Sequence, residues 1–222
     1  QQPALDAWSG VGLLSLAWSC NFSTLTATIA TVCLAGQPFA PSPQVETLPL
    51  ACLFYSTAAA NLTLPFEVHR VGRRGTYLLG AGAGMAGSAG ITLAIFARSF
   101  ALLCAGSGLI GASVAHAMNY RYAAVSMAPS NPPKAISCVL LGGVAGAGLG
   151  PGALAHARHL LPVEHSGVYM LCAAMHAIAA GLLCRVKFPR LAPCGSAGAP
   201  ATRRLLEIFA QPRCWAATFA MT

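Results

Sequence analysis

The chain has 222 residues, of which 56% are hydrophobic and only 8% charged, with a mean hydropathy of +0.64. An ordinary soluble domain carries about 25% charged residues, so this composition excludes a water-soluble globule and points to a polytopic membrane protein. The net charge of +8 is confined to short loops without a basic, aromatic-interleaved stripe, which argues against a nucleic-acid partner.

Six apolar segments are long enough to span a bilayer, at about 8–34, 47–68, 75–97, 100–120, 135–157 and 166–186, and a seventh begins near 213. They are continuous and rich in Ala, Leu and Gly, without the alternation of a membrane barrel, and in lipid only a helix satisfies its own backbone. An all-α integral membrane fold follows, with residues 1–187 as a six-helix bundle. Residues 188–212 read as a Pro- and Gly-bearing cytoplasmic linker, and 213–222 as the start of a seventh helix. An unfinished span cannot satisfy its terminal carbonyls in lipid, so the chain is expected to continue beyond Thr222. Its first residue is Gln1, which leaves the true N-terminus open.

The first span carries Asn21, Thr24, Thr28 and Thr31 at i, i+3, i+7 and i+10, one helical face. Such a face is expected to look into the protein or a wet cavity, although each Thr can also bond back to its own helix. Between the second and third spans, Leu64-Pro65-Phe66-Glu67-Val68-His69-Arg70-Val71-Gly72-Arg73-Arg74-Gly75 crowds three arginines into a tight turn. With the N-terminus placed in the cytoplasm, eleven basic residues fall inside and only Arg98 and Arg158 outside. That bias fits a count of six spans.

The fourth span brings Ser113, His116 and Tyr120 onto one stripe, with Asn119 and Arg121 beside it. Arg121 lies near the cytoplasmic end, where it can snorkel, and reads equally as an anion contact at a cavity mouth or as a topology arginine. His116 lies deeper, as a structural histidine or a proton carrier. The fifth span carries Gly142, Gly146 and Gly150 at every fourth position, followed by Pro151. Small residues at that spacing let another helix approach closely, and the proline can kink the helix. His176 in the sixth span reads as core packing.

Asp6, Glu46, Glu67, Glu164 and Glu207 all fall at or near span ends. No buried carboxylate is therefore expected here, and a proton carrier would be His116 or lie elsewhere. His156, His159, Glu164 and His165 gather in one loop, but Pro162 and the lack of a cysteine argue against zinc. The nine cysteines have no metal-ligand spacing, so no metal or cofactor is expected.

Six spans, a basic turn after the second and a linker before the seventh resemble the major facilitator superfamily. The family pattern in that turn is Gly-x-x-x-Asp-Arg-x-Gly-Arg-Arg, and Arg70, Gly72, Arg73 and Arg74 match it. Pro65 stands where the family has Gly, and His69 where it has Asp. Glu67 faces another side of the helix from His69 and does not replace that acid. The resemblance implies a half-transporter of 3+3 inverted repeats, in which the turn gates the cytoplasmic face or only sets topology, and in which the first and fourth helices line the central cavity. Asn21, Thr24, Thr28, His116, Asn119 and Arg121 are then the cavity candidates.

Gly111, Asn119-Tyr120-Arg121-Tyr122-Ala123-Ala124, Lys134-Ala135-Ile136-Ser137 and Gly142-Gly143 resemble a bacterial branch of the same superfamily without an assigned substrate. Gly146-Ala147-Gly148-Leu149-Gly150-Pro151 is similar to the core of the antiporter motif of drug exporters, although Leu154-Ala155 stands where that motif has Gly-Gly. The implied function is secondary transport of a small solute by alternating access across a bacterial inner membrane, with efflux as one direction and a proton as the candidate coupling ion. The chain would be multi-pass with a cytoplasmic N-terminus, and not an enzyme. The alternatives are a membrane-embedded enzyme, for which no Gly-x-Ser-x-Gly or His-Glu-x-x-His motif occurs, and a non-transporting sensor or assembly protein on the same scaffold.

Overall fold

The structure, a computed structural model, describes residues 4–158 and 160–189. The expected linker beyond Pro189, the start of a seventh helix and His159 lie outside the described residues. Within them every regular element is helical: α1 (Ala4–Gly36), α2 (Leu48–Ala97), α3 (Phe100–Met118), α4 (Tyr120–Met127), α5 (Pro132–Ala157) and α6 (Ser166–Arg185), with two short 3-10 turns between α1 and α2.

Four described stretches are long and apolar enough to cross a membrane: Pro43–Ala97, Phe100–Met127, Pro132–Gly152 and Ser166–Arg185. At 33 residues α1 is about 50 Å long at 1.5 Å per residue, ample for a bilayer. Asn21 and its run of Ser and Thr residues lower the hydropathy of α1, and it is not among the four.

The 50-residue α2 is two arms, because Gly72 leaves helical geometry at φ 73, ψ 166. Neighbours give the direction of each arm. In the first, Leu53 and Thr57 meet Gly111 of α3 and Glu67 meets His116, so the two helices ascend together. In the second, Gly80 lies on His116, Gly84 on Ser113 and Gly87 on Gly106, so it runs against α3. The arms are therefore antiparallel, and the chain reverses near Gly72.

The interior is layered along the bundle. One apolar cluster holds Leu14, Trp18, Tyr77, Tyr120, Val139 and Leu183. A second holds Val32, Leu53, Ile91, Leu103, Ile110 and Tyr169. In sequence, buried Asn21, Thr24, Ser88 and His176 fall between the positions that α1, the second arm and α6 give to these clusters, and buried Ser113 of α3 lies at the edge of the second, beside Val114. A polar layer thus sits midway, where a membrane protein can hide it from lipid.

Some boundaries differ from the sequence expectation. The first arm stays helical through Arg70 rather than ending at 68, because the reversal needs only the one glycine. The fourth span breaks at Asn119 and resumes as α4 to Met127, since Tyr120, Ala123 and Ala124 are buried against the first cluster. The start of α5 is set by Asn131, whose Oδ1 accepts from the Lys134 backbone N–H at 3.3 Å, with Pro132 and Pro133 entering the first turn.

Candidate functional site

One end of the bundle gathers most of the described basic residues. Arg73 donates to Ser126 Oγ on α4 at 2.5 Å, and Arg74 donates to the Cys184 carbonyl at the C-terminal end of α6 at 2.8 Å. A cation there completes orphan carbonyls and complements the helix dipole. Lys134 lies 5.2 Å over the Trp8 ring. Tyr77 donates to the Asn119 carbonyl at 3.2 Å and packs on Phe188. These contacts put the basic turn, the α3–α4 break, the start of α5 and the end of α6 together. Arg98 and Arg158 lie at the other end, where Gly36 meets Phe100 and Leu103. Arg158 there bonds Glu164 through Nε at 2.7 Å.

Within the turn, His69 and Arg70 are exposed, whereas Arg73 and Arg74 reach back onto the bundle. Gly72 supplies a backbone conformation that side-chain-bearing residues scarcely adopt.

The polar face of α1 is packed rather than open. Asn21, Thr24 and Thr28 are at most 1% exposed. Thr24 donates to the Asn21 carbonyl, Thr28 to Thr24 and Thr31 to Ala27, so all three hydroxyls bond within the helix. Beyond these, Asn21 Nδ2 donates to Ser113 Oγ at 3.4 Å, Thr24 Oγ1 lies 3.5 Å from His176 Nε2, and Thr31 shares a 3.0 Å bond with Tyr169 Oη. Gly84 makes this layer possible, because a Cβ there would overlap the His176 ring and crowd Ser113 Oγ. His176, read from sequence as packing, thus also joins a hydrogen-bonded layer.

Arg121 and Asn119 sit apart from that layer. Arg121 borders a small cleft with Trp18, Met118, Val139 and Leu140, stacks 5.0 Å from the Tyr122 ring, and has a buried Nε without a partner among the described residues. Asn119 Nδ2 caps back to the Ala115 carbonyl at 2.9 Å.

On α5 the glycines lie against α1. A Cβ on Gly142 would meet Ser15, one on Gly146 the Ser19 carbonyl, and one on Gly150 the Thr26 hydroxyl and Ser23 carbonyl. Hydrogen bonds from Ser15 Oγ to the Cys138 carbonyl (2.7 Å) and from Ser23 Oγ to the Gly146 carbonyl (2.9 Å) cross this contact. Pro151 is exposed within the last third of the helix.

Sequence reasoning missed Glu67. Its Oε2 lies 2.7 Å from His116 Nε2, while Oε1 accepts from Thr63 at 2.9 Å. A carboxylate at a span end can still reach inward by its own side-chain length. The available signal was its isolation: no other acidic residue occurs between 47 and 163.

The chain is similar to the riboflavin transporter RfnT of Brucella anthropi, with 29% identity over 212 residues, 95% of this chain and 53% of that protein. It therefore spans about half the length of the curated relative it matches. No family model matches the chain, and no solved structure matches it. Together with the four apolar helical stretches, the similarity supports a multi-pass helical membrane protein.

Proposed function

We propose that this chain is the first, six-span half of a secondary transporter of the major-facilitator type, which moves a small solute by alternating access. The similarity to a riboflavin transporter along nearly the whole chain carries this reading. Counting α1, the two arms of α2, α3 with α4, α5 and α6 gives six crossings. A cytoplasmic N-terminus would put the basic end of the bundle inside.

The helix pairing supports the 3+3 arrangement. The first crossing packs parallel on the fifth, through Ser15–Cys138 and Ser23–Gly146, and antiparallel on the sixth, through Thr24–His176 and Thr31–Tyr169. The fourth packs parallel on the second, through Thr57–Gly111, and antiparallel on the third, through Gly106–Gly87. Exchanging crossings 1, 2, 3 with 4, 5, 6 maps this pattern onto itself, as an internal repeat requires.

The solute we assign to a first test is riboflavin. The full-length gene product, placed in membrane vesicles or in a riboflavin-requiring bacterium, is expected to carry labelled riboflavin across the membrane. An absence of flavin flux from correctly inserted protein would reject that solute. In the same assay, Arg73→Ala with Arg74→Ala is expected to slow flux about tenfold, equivalent to ~1.4 kcal/mol on the transport barrier. Unchanged flux with normal insertion would leave these arginines with topology alone.

A further inference from the structure

The bonds around His116 imply a proton. Nδ1 lies 2.7 Å from the Ala112 carbonyl, and Nε2 lies 2.7 Å from Glu67 Oε2. A carbonyl oxygen only accepts, as does an ionised carboxylate, while a neutral imidazole has a single N–H to give. Both bonds form together only if the ring is an imidazolium or the carboxyl is protonated. Either way the pair holds one proton more than a neutral histidine and a carboxylate.

We propose that Glu67 and His116 form an exchangeable proton-binding site that ties the first arm of α2 to α3 and weakens that tie when the proton leaves for water. On release, the single remaining N–H serves one acceptor and the other faces a lone pair. Where the ring is the imidazolium, the inter-helix contact also loses its ion pair. The side chain of His116 is 7% exposed and that of Glu67 31%, so the carboxylate gives the buried ring a route to solvent.

The surroundings leave the proton to this pair. On the first arm, His69 and Arg70 are exposed, and Thr63 bonds the Ala60 carbonyl and the other carboxylate oxygen, not Oε2. On the second arm, Gly80, which has no side chain, lies against the His116 ring, Tyr77 is bonded to the Asn119 carbonyl, and Arg73 is directed to Ser126. His176 of α6 packs one turn away at Gly84, α1 brings the uncharged Asn21 to Ser113, and Arg121 of α4 borders the separate cleft with Trp18.

The site would couple transport to protons, which rests on the transporter reading; its protonation can be tested without a solute. Full-length protein in nanodiscs, with labelled histidine, is titrated by infrared difference spectroscopy between about pH 5 and 9, the window histidine serves. The wild type is expected to show one step in which imidazole and carboxylate bands change together. His116→Gln should remove the carboxylate component from that window, and Glu67→Gln should abolish the joint step. A wild type without a joint step, or a carboxylate step unchanged in H116Q, overturns the proposal. In riboflavin-loaded vesicles, a gradient of about one pH unit should support about tenfold accumulation by the wild type per coupled proton, and E67Q should lose it. Gradient-driven accumulation that persists in E67Q overturns the coupling role. Absence of any riboflavin flux in the wild type rejects the solute while the titration still decides the site.

Discussion

Gly87→Ala is expected to destabilise the bundle by ~1–3 kcal/mol, while Gly82→Ala on the same arm is expected to leave it intact. A Cβ on Gly87 would lie 2.6 Å from the Gly106 carbonyl oxygen and 2.9 Å from the Ile110 backbone nitrogen. Neither obstacle can rotate away, because both belong to the α3 backbone. Gly106 is the reciprocal case, with a Cβ 2.8 Å from the Gly87 carbonyl oxygen. The second arm and α3 meet here almost backbone to backbone, as small residues permit between helices in lipid. At Gly82 nothing lies within 4 Å, so alanine only removes the helix penalty of glycine, up to ~1 kcal/mol. Thermal unfolding of the two variants and the wild type in detergent, followed by the loss of monodisperse protein, measures the contrast. Equal stability of G87A and G82A would mean that the arm and α3 are not in this contact.

The second large effect is expected at Gly72, for the opposite reason. There is open space around a Cβ at Gly72, but its φ of 73 and ψ of 166 fall in a region essentially reserved for glycine. Gly72→Ala and Gly72→Asn should both cost ~1–3 kcal/mol, because this is not the left-handed helical region where Asn gains an advantage. The cost falls on the reversal that brings both arms onto α3. A relaxed turn should also release Arg73 from Ser126 and Arg74 from the end of α6. Thermal unfolding together with cysteine accessibility at Cys184, which is exposed beside Arg74, reads both effects. Wild-type stability for G72N would show that the turn takes another conformation.

The two glycines illustrate what could be read from residues alone. Gly72 was legible as a turn because it stands among arginines between two apolar runs. Gly87 sits in a run of Gly and Ala where no local signal separates it from Gly82. Only the neighbouring helix distinguishes them. The same holds for the polar residues. The spacing of Asn21, Thr24, Thr28 and Thr31 fixes a common face of α1, and their burial follows from the cost of polar groups in lipid. Which partners they meet, Ser113, His176 and Tyr169, depends on segments more than ninety residues away.

Composition and period by themselves determined that this is a helical membrane protein and where its apolar segments lie. Those properties are local: bilayer thickness sets helix length, and the energy of charge in lipid confines arginine and lysine to the ends. The tertiary structure decided the rest. It turned one 50-residue helix into two antiparallel arms, seated the α5 glycines on α1, and carried Glu67 to His116. The last case shows the physical reason most plainly. A helix position states which way a side chain leaves the backbone, whereas the role of a carboxylate depends on which donor another helix brings to within 2.7 Å of it.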